Sequence, residues 1–249
     1  MSREAKAPWP YPRFAAHRGA GKLAPENTLA AMRLGHAHGY RMVEFDVKLS
    51  ADGVPFLLHD DKLDRTTNGR GPASALTWTA LAKLDAGSWH SSRFAGEPLP
   101  TLAAVARWAL GDDVICNVEI KPTPGRERDT GTAVALDAQM LWRGASVPPL
   151  LSSFSEEALA AARDAAPELQ RALLVERIPP DWQLKLERLQ CVALDSDYRE
   201  LDARIVTAAH DAGYKVVTYT PNDPAVVARL LEWGVDCIIT DAIDVIGPE

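Results

Sequence analysis

Charged and imidazole side chains occur where several short apolar stretches of this sequence end. His17 and Arg18 follow one such stretch, His59 follows a second, and Glu119 and Lys121 lie at the end of a third. Ionisable groups in segments that otherwise resemble buried strands are costly to desolvate unless they meet one another, a metal ion or a charged ligand. This pattern therefore indicates an active site.

Two further carboxylates lie two residues apart in the strand-like segment 42–47. Because side chains alternate along a strand, Glu44 and Asp46 project from the same face. Together with Glu119 they offer oxygen ligands without a Cys or His pair at ligand spacing, which favours Mg²⁺ or Ca²⁺ over zinc. The alternative is that these acids form structural salt bridges with Arg18, Lys48 and Lys121.

Longer motifs surround these positions, and together they resemble the bacterial glycerophosphodiester phosphodiesterase family. The resemblance extends from about residue 14 to residue 241 and is weakest between about 156 and 212. The motifs occupy residues 17–19, 24–28, 44–46, 59–69, 84–89, 94–102, 119–121, 152–154, 234–236 and 240–241.

The resemblance implies a metal-dependent hydrolase that converts glycerophosphodiesters to sn-glycerol 3-phosphate and an alcohol. It implies that Glu44, Asp46 and Glu119 hold the cation, and that His17 and His59 are the general acid and base. Imidazole suits both roles because it can take and give a proton at neutral pH. We expect His17 to assist attack and His59 to protonate the leaving alcohol, and the attacking group is either the glycerol 2-hydroxyl or a water.

Substrate contacts are expected from two cations and two aromatic residues. Arg18 and Lys121 can neutralise phosphate oxygens, or can instead pair with the metal-ligand acids. Phe154 and Tyr219 are candidates for the walls of the alcohol pocket. Tyr219 is a departure from the family, which usually has Trp at this position.

The elements that must position these residues form a repeating pattern. After residue 100, β-branched runs alternate with helical segments, as in a parallel sheet with crossover helices. The resemblance implies a (β/α)8 TIM barrel with a small insertion subdomain at about 60–101. Asn27 is the expected N-cap of a helix from Thr28 to His38.

We expect nine strands, which is one more than the eight of such a barrel. The segments 42–47 and 54–59 are too close for a crossover helix, and the sequence does not show which strand is the extra one. The candidate strands are 13–17, 42–47, 54–59, 114–120, 149–153, 171–176, 191–195, 215–219 and 236–240. The candidate helices after residue 100 are 101–110, 130–141, 156–165, 181–189, 202–212 and 223–233.

Length and charge exclude several classes of protein. A chain of 249 residues with 47% hydrophobic content suits one catalytic domain, residues 1–249. The net charge of −7 argues against nucleic acid or an anionic membrane as the main partner. Residues 1–10 lack the apolar core of a secretion signal, and no stretch has the roughly 18 apolar residues of a membrane span.

We therefore expect a cytoplasmic enzyme that acts on a small glycerophosphodiester and has no stable membrane association. The sequence does not indicate its oligomeric state. Cys116, Cys191 and Cys237 lie in apolar runs without metal-type spacing, so they are expected to be buried free thiols.

Two rival functions are considered. A related barrel phosphodiesterase acting on lysophospholipid or phosphoinositide would need an apolar rim, yet residues 60–100 contain only scattered apolar side chains such as Trp78, Trp89 and Phe94. A catalytically silent module that senses glycerol phosphate is the alternative from a different class.

Overall fold

Nine strands form one sheet in the computed structural model, which describes residues 9–248. Most of them alternate with helices along the chain, as the sequence pattern predicts. The strands are β1 Phe14–Ala16, β2 Met42–Leu49, β3 Pro55–Leu57, β4 Ile115–Ile120, β5 Leu150–Ser153, β6 Arg171–Val175, β7 Ala193–Asp197, β8 Lys215–Tyr219 and β9 Cys237–Thr240.

Eight of these strands close into a ring. β1 pairs in parallel with both β9 and β2, and each remaining neighbour pair around the ring is also parallel. The predicted (β/α)8 TIM barrel is therefore confirmed. The extra strand is β3, which pairs antiparallel with the end of β2 because the five residues between them can form only a turn.

Eight α-helices accompany the strands in residues 9–248. They begin at residues whose side chains often cap the first turn, as Thr101 and Ser155 do by accepting hydrogen bonds from backbone N–H groups. The helices are α1 Leu29–Ala37, α2 Trp78–Leu81, α3 Leu102–Gly111, α4 Glu127–Leu141, α5 Glu156–Ala165, α6 Trp182–Leu189, α7 Ala203–Asp211 and α8 Pro224–Glu232.

The predicted N-cap of α1 is wrong. Thr28 is the cap, and its hydroxyl accepts a hydrogen bond from the N–H of Ala31. Asn27 has a left-handed backbone with φ of 59°, and its side chain is turned toward β2. Other boundaries shift by a few residues: α4 begins at Glu127, and β7 extends to Asp197.

Side-chain alternation divides each barrel strand between two environments. Residues such as Val43 and Phe45 of β2 face outward and join a large core beneath the helices. An apolar layer inside the barrel, which we call the floor, is formed by inward-facing strand residues, most of them near the amino-terminal ends of the strands, and by Tyr11 before β1. The floor comprises Tyr11, Ala15, Met42, Leu150, Ala172, Ala193, Val217, Cys237 and Ile239.

Residues 60–101 contribute no strand to the barrel sheet. They contain α2 and two short 3₁₀ turns, Ala73–Ala75 and Ser92–Phe94. With β3 they enclose a separate apolar cluster, so this segment is held by its own small core beside the carboxyl end of β2. The cluster consists of Phe56, Leu58, Leu63, Ala73, Leu81, Ala86 and Leu99.

Cys116, Cys191 and Cys237 are buried free thiols, as predicted. Within residues 9–248, no helix is both long enough and apolar enough to cross a bilayer. Residues 1–8, on which most of the expectation about a secretion signal rests, lie outside the described residues.

Close packing of α4 on α5 gives a prediction about stability. A Cβ added at Gly131 of α4 would lie 2.2 Å from the carbonyl oxygen of Ala158, so Gly131→Ala is expected to lower the free energy of unfolding by about 1–3 kcal/mol. Gly111, at the end of α3, has no atom within 4 Å of an added Cβ. Urea unfolding should show that Gly111→Ala is neutral or stabilising by up to about 1 kcal/mol. Equal stability of the two variants would contradict this account of the packing.

Candidate active site

The three carboxylates singled out in the sequence come together at the carboxyl side of the barrel. Asp46 of β2 lies beside Glu119 of β4 in the strand register, and Glu44 is two residues earlier on the same face of β2. One oxygen from each side chain lies within 4.8 Å of the others. The residues are between 1% and 8% exposed, so the cluster is almost entirely removed from water.

Repulsion inside this cluster changes its ionisation. Burial, followed by the charges of Asp46 and Glu119, holds the pKa of Glu44 well above its usual range. Burial and Asp46 raise the pKa of Glu119 to about 7. Burial also acts to raise the pKa of Asp46, but the nearby cations Lys121 and Arg18 outweigh it and the pKa is lowered. The residues present fit a hard divalent cation, because it would supply the missing positive charge and prefers oxygen ligands.

Lys121 pairs with two members of the cluster. Its Nζ lies 3.3 Å from Oδ1 of Asp46 and 3.0 Å from Oε1 of Glu119, and it also lies over the ring of Phe154 at 5.8 Å from the centroid. Lys48, considered above as a structural partner of the acids, pairs with Asp61 instead. Lys121 therefore connects the carboxylate cluster to the aromatic wall of the site.

Arg18 contacts the cluster through its backbone and its side chain. Its N–H donates to Oε2 of Glu44 at 3.0 Å, and its Nε lies 3.5 Å from Oδ2 of Asp46. Nη1 donates to Glu26 at 2.8 Å. The φ of Arg18 is +50°, a conformation that non-glycine residues rarely adopt and that is often found at functional sites.

Both predicted catalytic histidines are oriented by an aspartate. Nδ1 of His17 lies 2.6 Å from Oδ1 of Asp241, and Nδ1 of His59 lies 2.7 Å from Oδ1 of Asp60. An ionised carboxylate only accepts hydrogen bonds, so each ring donates through Nδ1–H and keeps Nε2 for other partners. Nε2 of His17 is 3.8 Å from Oε2 of Glu44.

The pKa values of these groups agree with that assignment. Hydrogen bonds from Arg65, followed in effect by the bond from His59, lower the pKa of Asp60 in spite of partial burial. Burial acts to raise the pKa of Asp241, yet the hydrogen bond from His17 contributes to a net lowering. Burial is also the main cause of a lowered pKa of His59, which favours the neutral ring.

The orienting residues were missed as functional positions by sequence reasoning. Asp60 was detectable because it follows His59 directly, and Asp241 because it follows the last barrel strand. Arg65 had no such signal: its guanidinium bridges Asp60 and Glu26 with bonds of 2.7 to 2.9 Å. Since Glu26 also binds Arg18, an ionic chain connects residues 60–101 to the carboxylate cluster.

Two asparagines hold the acids in place. Nδ2 of Asn27 donates to Oδ2 of Asp46 at 2.7 Å, and the N–H of Asp46 donates back to Oδ1 of Asn27 at 3.0 Å. Oδ1 of Asn222 accepts from the N–H of Asp241 at 2.9 Å. The left-handed backbone of Asn27 therefore serves the site rather than the helix cap.

Two connected cavities open above the floor. The inner cavity, of about 400 Å³, is lined by His17, His59, Glu44 and Glu119, together with residues deeper in the barrel. The outer cavity, of about 650 Å³, lies toward the rim. The residues that line the outer cavity are Phe154, Glu176, Arg177, Asp197, Arg199, Glu200 and Tyr219.

Phe154 and Tyr219 form the boundary between these cavities. Both side chains line each cavity, and their rings meet edge to face with centroids 5.9 Å apart. The Tyr219 hydroxyl donates to the carbonyl of Val175 at 2.9 Å, so it secures the ring to β6. Eight of the nine residues predicted for the site thus line the inner cavity, and the ninth, Asp46, belongs to the carboxylate cluster beside it.

Comparison with known proteins agrees with this geometry. The model of the glycerophosphoryl diester phosphodiesterase family matches residues 17–245. The glycerophosphodiester phosphodiesterase of Caldanaerobacter subterraneus subsp. tengcongensis is 33% identical over 227 residues, covering 91% of this chain and 92% of the relative. A glycerophosphodiester phosphodiesterase of Bacillus subtilis is 30% identical over 246 residues, covering 92% of this chain and 83% of the relative.

Solved structures give the same result. A phosphodiesterase of Oleispira antarctica, in complex with the product sn-glycerol-3-phosphate, has a TM-score of 0.88 and 37% identity, with 93% of each chain covered. A glycerophosphodiester phosphodiesterase of Agrobacterium tumefaciens has a TM-score of 0.78 and 30% identity, covering 94% of this chain and 98% of its own. The chain therefore belongs to the glycerophosphoryl diester phosphodiesterase family and is an enzyme of that family.

Proposed function

We propose that this enzyme hydrolyses glycerophosphodiesters, such as glycerophosphocholine or glycerophosphoethanolamine, to sn-glycerol 3-phosphate and an alcohol, with Mg²⁺ or Ca²⁺ as cofactor. One observation carries the proposal: two aspartate-bonded imidazoles line the same cavity as Glu44 and Glu119, two members of the buried carboxylate cluster. The Oleispira antarctica neighbour, solved with sn-glycerol-3-phosphate, supports the choice of substrate.

Glu44, Asp46 and Glu119 would hold the cation, since their oxygens are close together and their charges are not balanced by Arg18 and Lys121. When bound, the cation would polarise phosphate oxygens and neutralise charge that develops during cleavage. We assign Arg18 and Lys121 to the remaining phosphate oxygens. Both already pair with the cluster, so the phosphate would share these cations with the acids.

We assign the proton transfers to the histidines. His17 takes the proton of the attacking oxygen, either the glycerol 2-hydroxyl or a water, as that oxygen bonds to phosphorus. Attack by the hydroxyl forms a cyclic phosphate, which water then hydrolyses to sn-glycerol 3-phosphate. His59 must first take up a second proton at Nε2, and it gives this proton to the alcohol oxygen as the bond from that oxygen to phosphorus breaks; the lowered pKa of His59 makes the proton easier to release. Asp241 and Asp60 hold each ring with Nδ1 protonated, which leaves Nε2 for these transfers.

The leaving alcohol would occupy the side of the site bounded by Phe154 and Tyr219, where the inner cavity meets the wider outer cavity. An alcohol of variable size suits this open side. The lysophospholipid rival has less support, because Trp89 is the only large apolar side chain within residues 60–101 that is highly exposed. Turnover of glycerophosphocholine against lysophosphatidylcholine compares the two substrates directly.

We also propose that residues 1–249 act as a single catalytic domain in the cytoplasm. The ionic chain from Arg65 through Glu26 to Arg18 supports treating residues 60–101 as part of the active site. A silent sensor of glycerol phosphate is set aside because the chain belongs to an enzyme family.

Metal removal tests the cofactor. Chelation should lower the release of sn-glycerol 3-phosphate, measured by coupled oxidation, by about 10²-fold or more, and added Mg²⁺ or Ca²⁺ should restore it. Glu44→Gln should cause a loss of similar size that no added cation reverses, while Glu157→Gln, an exposed acid of α5, should behave as wild type. Full activity in chelator would remove the cation from the reaction.

Leaving-group chemistry tests the division of labour between the histidines. His59→Ala should lower turnover of glycerophosphocholine by about 10²-fold or more, but should affect a glycerol p-nitrophenyl phosphodiester much less, because p-nitrophenolate leaves without a proton. His17→Ala should impair both substrates. His36→Ala, on the exposed face of α1, is the matched control. If His59→Ala impairs both substrates equally, His59 is not the acid.

A further inference from the structure

Asp195 of β7 is a buried carboxyl group that the reaction described above does not use. Its side chain is fully buried and lines the inner cavity. Among residues 9–248, neither of its oxygens has a hydrogen-bond partner. A buried polar group without a partner is destabilising, so a carboxyl retained here indicates a ligand that supplies the partner.

The position of Asp195 in its strand fixes where it points. Ala193, two residues earlier, belongs to the floor, and Asp197, two residues later, lines the outer cavity. Leu194 lies on the opposite face of β7, in the core beneath the helices. Asp195 therefore projects into the barrel between the floor and the rim.

Other polar side chains that line the inner cavity do not satisfy the carboxyl. The Ser152 hydroxyl donates to Oδ1 of Asn117 at 2.9 Å, and both residues are buried and line the inner cavity. This bond uses the one proton of the hydroxyl. Barrel interiors of this fold are usually filled by branched apolar side chains, so a polar set at mid-depth is a departure that extends the site downward.

We propose that Asp195 binds the terminal hydroxyl of the substrate's glycerol group and thereby selects phosphodiesters that contain glycerol. This inference rests on the proposed function. In that function the phosphate and the glycerol 2-hydroxyl stay near the carboxylate cluster and the histidines. The terminal hydroxyl is then the remaining polar group of the glycerol, and the inner cavity of about 400 Å³, which Asp195 lines, is the space open to it.

The chemistry of Asp195 matches a hydroxyl ligand. Burial, followed by the charge of Glu119, holds the pKa of Asp195 well above its usual range, which favours the neutral acid. A neutral carboxyl donates a hydrogen bond through its O–H and accepts one through its carbonyl oxygen, and an alcohol can accept the first and donate the second. A carboxamide has the same two capacities, so Asn can replace Asp here and Ala cannot.

A pair of substrates tests the assignment. One is sn-glycero-3-phosphocholine, and the other has propane-1,2-diol in place of glycerol, so only the terminal hydroxyl differs. Asp195→Ala should lower kcat/KM by about 10- to 100-fold for the first substrate and by less than about 3-fold for the second. Asp195→Asn should remain within about 5-fold of wild type on both, and Asp137→Asn, a half-buried acid of α4, should change neither.

If Asp195→Ala lowers kcat/KM equally for the two substrates, Asp195 has a structural role. If it lowers kcat/KM for neither, the carboxyl contacts only water. Either result overturns the inference but not the proposed function. If the wild-type enzyme hydrolyses neither substrate, both the proposed function and the inference are overturned. If Asp195→Ala does not fold, Asp195→Leu, of similar shape, takes its place.

Calorimetry with Mg²⁺ should also show that wild type binds sn-glycerol 3-phosphate about 10-fold or more tightly than propane-1,2-diol phosphate, and equal affinities would overturn the inference.

Discussion

Mutual repulsion among three buried carboxylates is the constraint on which the rest of this site depends. Glu44, Asp46 and Glu119 have oxygens within 4.8 Å of one another in a region almost without water. Such a cluster is stable only if positive charge is close, and Arg18 and Lys121 meet part of that need. The same shortage of positive charge fits the cluster to a divalent cation, and a bound cation would in turn attract an anionic phosphate.

Two further carboxylates in the site, Asp241 and Asp60, each hold one histidine ring by a hydrogen bond. Each histidine has one nitrogen fixed by a carboxylate and the other left for chemistry. The aspartates themselves are fixed from different parts of the chain: Asp241 by Asn222 near the end of the barrel, and Asp60 by Arg65 in the segment after β3. Because Arg65 also binds Glu26, residues outside the barrel sheet help to fix the orientation of His59.

The sequence predicted the barrel and the charged and imidazole side chains that meet at its carboxyl side, because both leave strong local signals. Alternation of strands and helices indicated the fold, and charged residues at strand ends indicated the site. The orienting bonds were harder to predict, since Arg65 and Glu26 are 39 residues apart and meet only in the folded chain. The error at Asn27 has a similar cause: its side chain type suits a helix cap, yet a bond to Asp46 in a neighbouring strand determines its conformation.

Asp195 shows a different limit of sequence reasoning. The strand was expected at 191–195, which would place this residue at its end, whereas β7 continues to Asp197 and sets Asp195 at mid-depth. Closure of the barrel then places this carboxyl on the wall of the inner cavity, which Ser152 and Asn117 also line. The sequence of one alternating strand does not show which of its two faces points into the barrel. Only the closed barrel defines an interior, so only the folded structure shows that Asp195 is a buried polar group inside it.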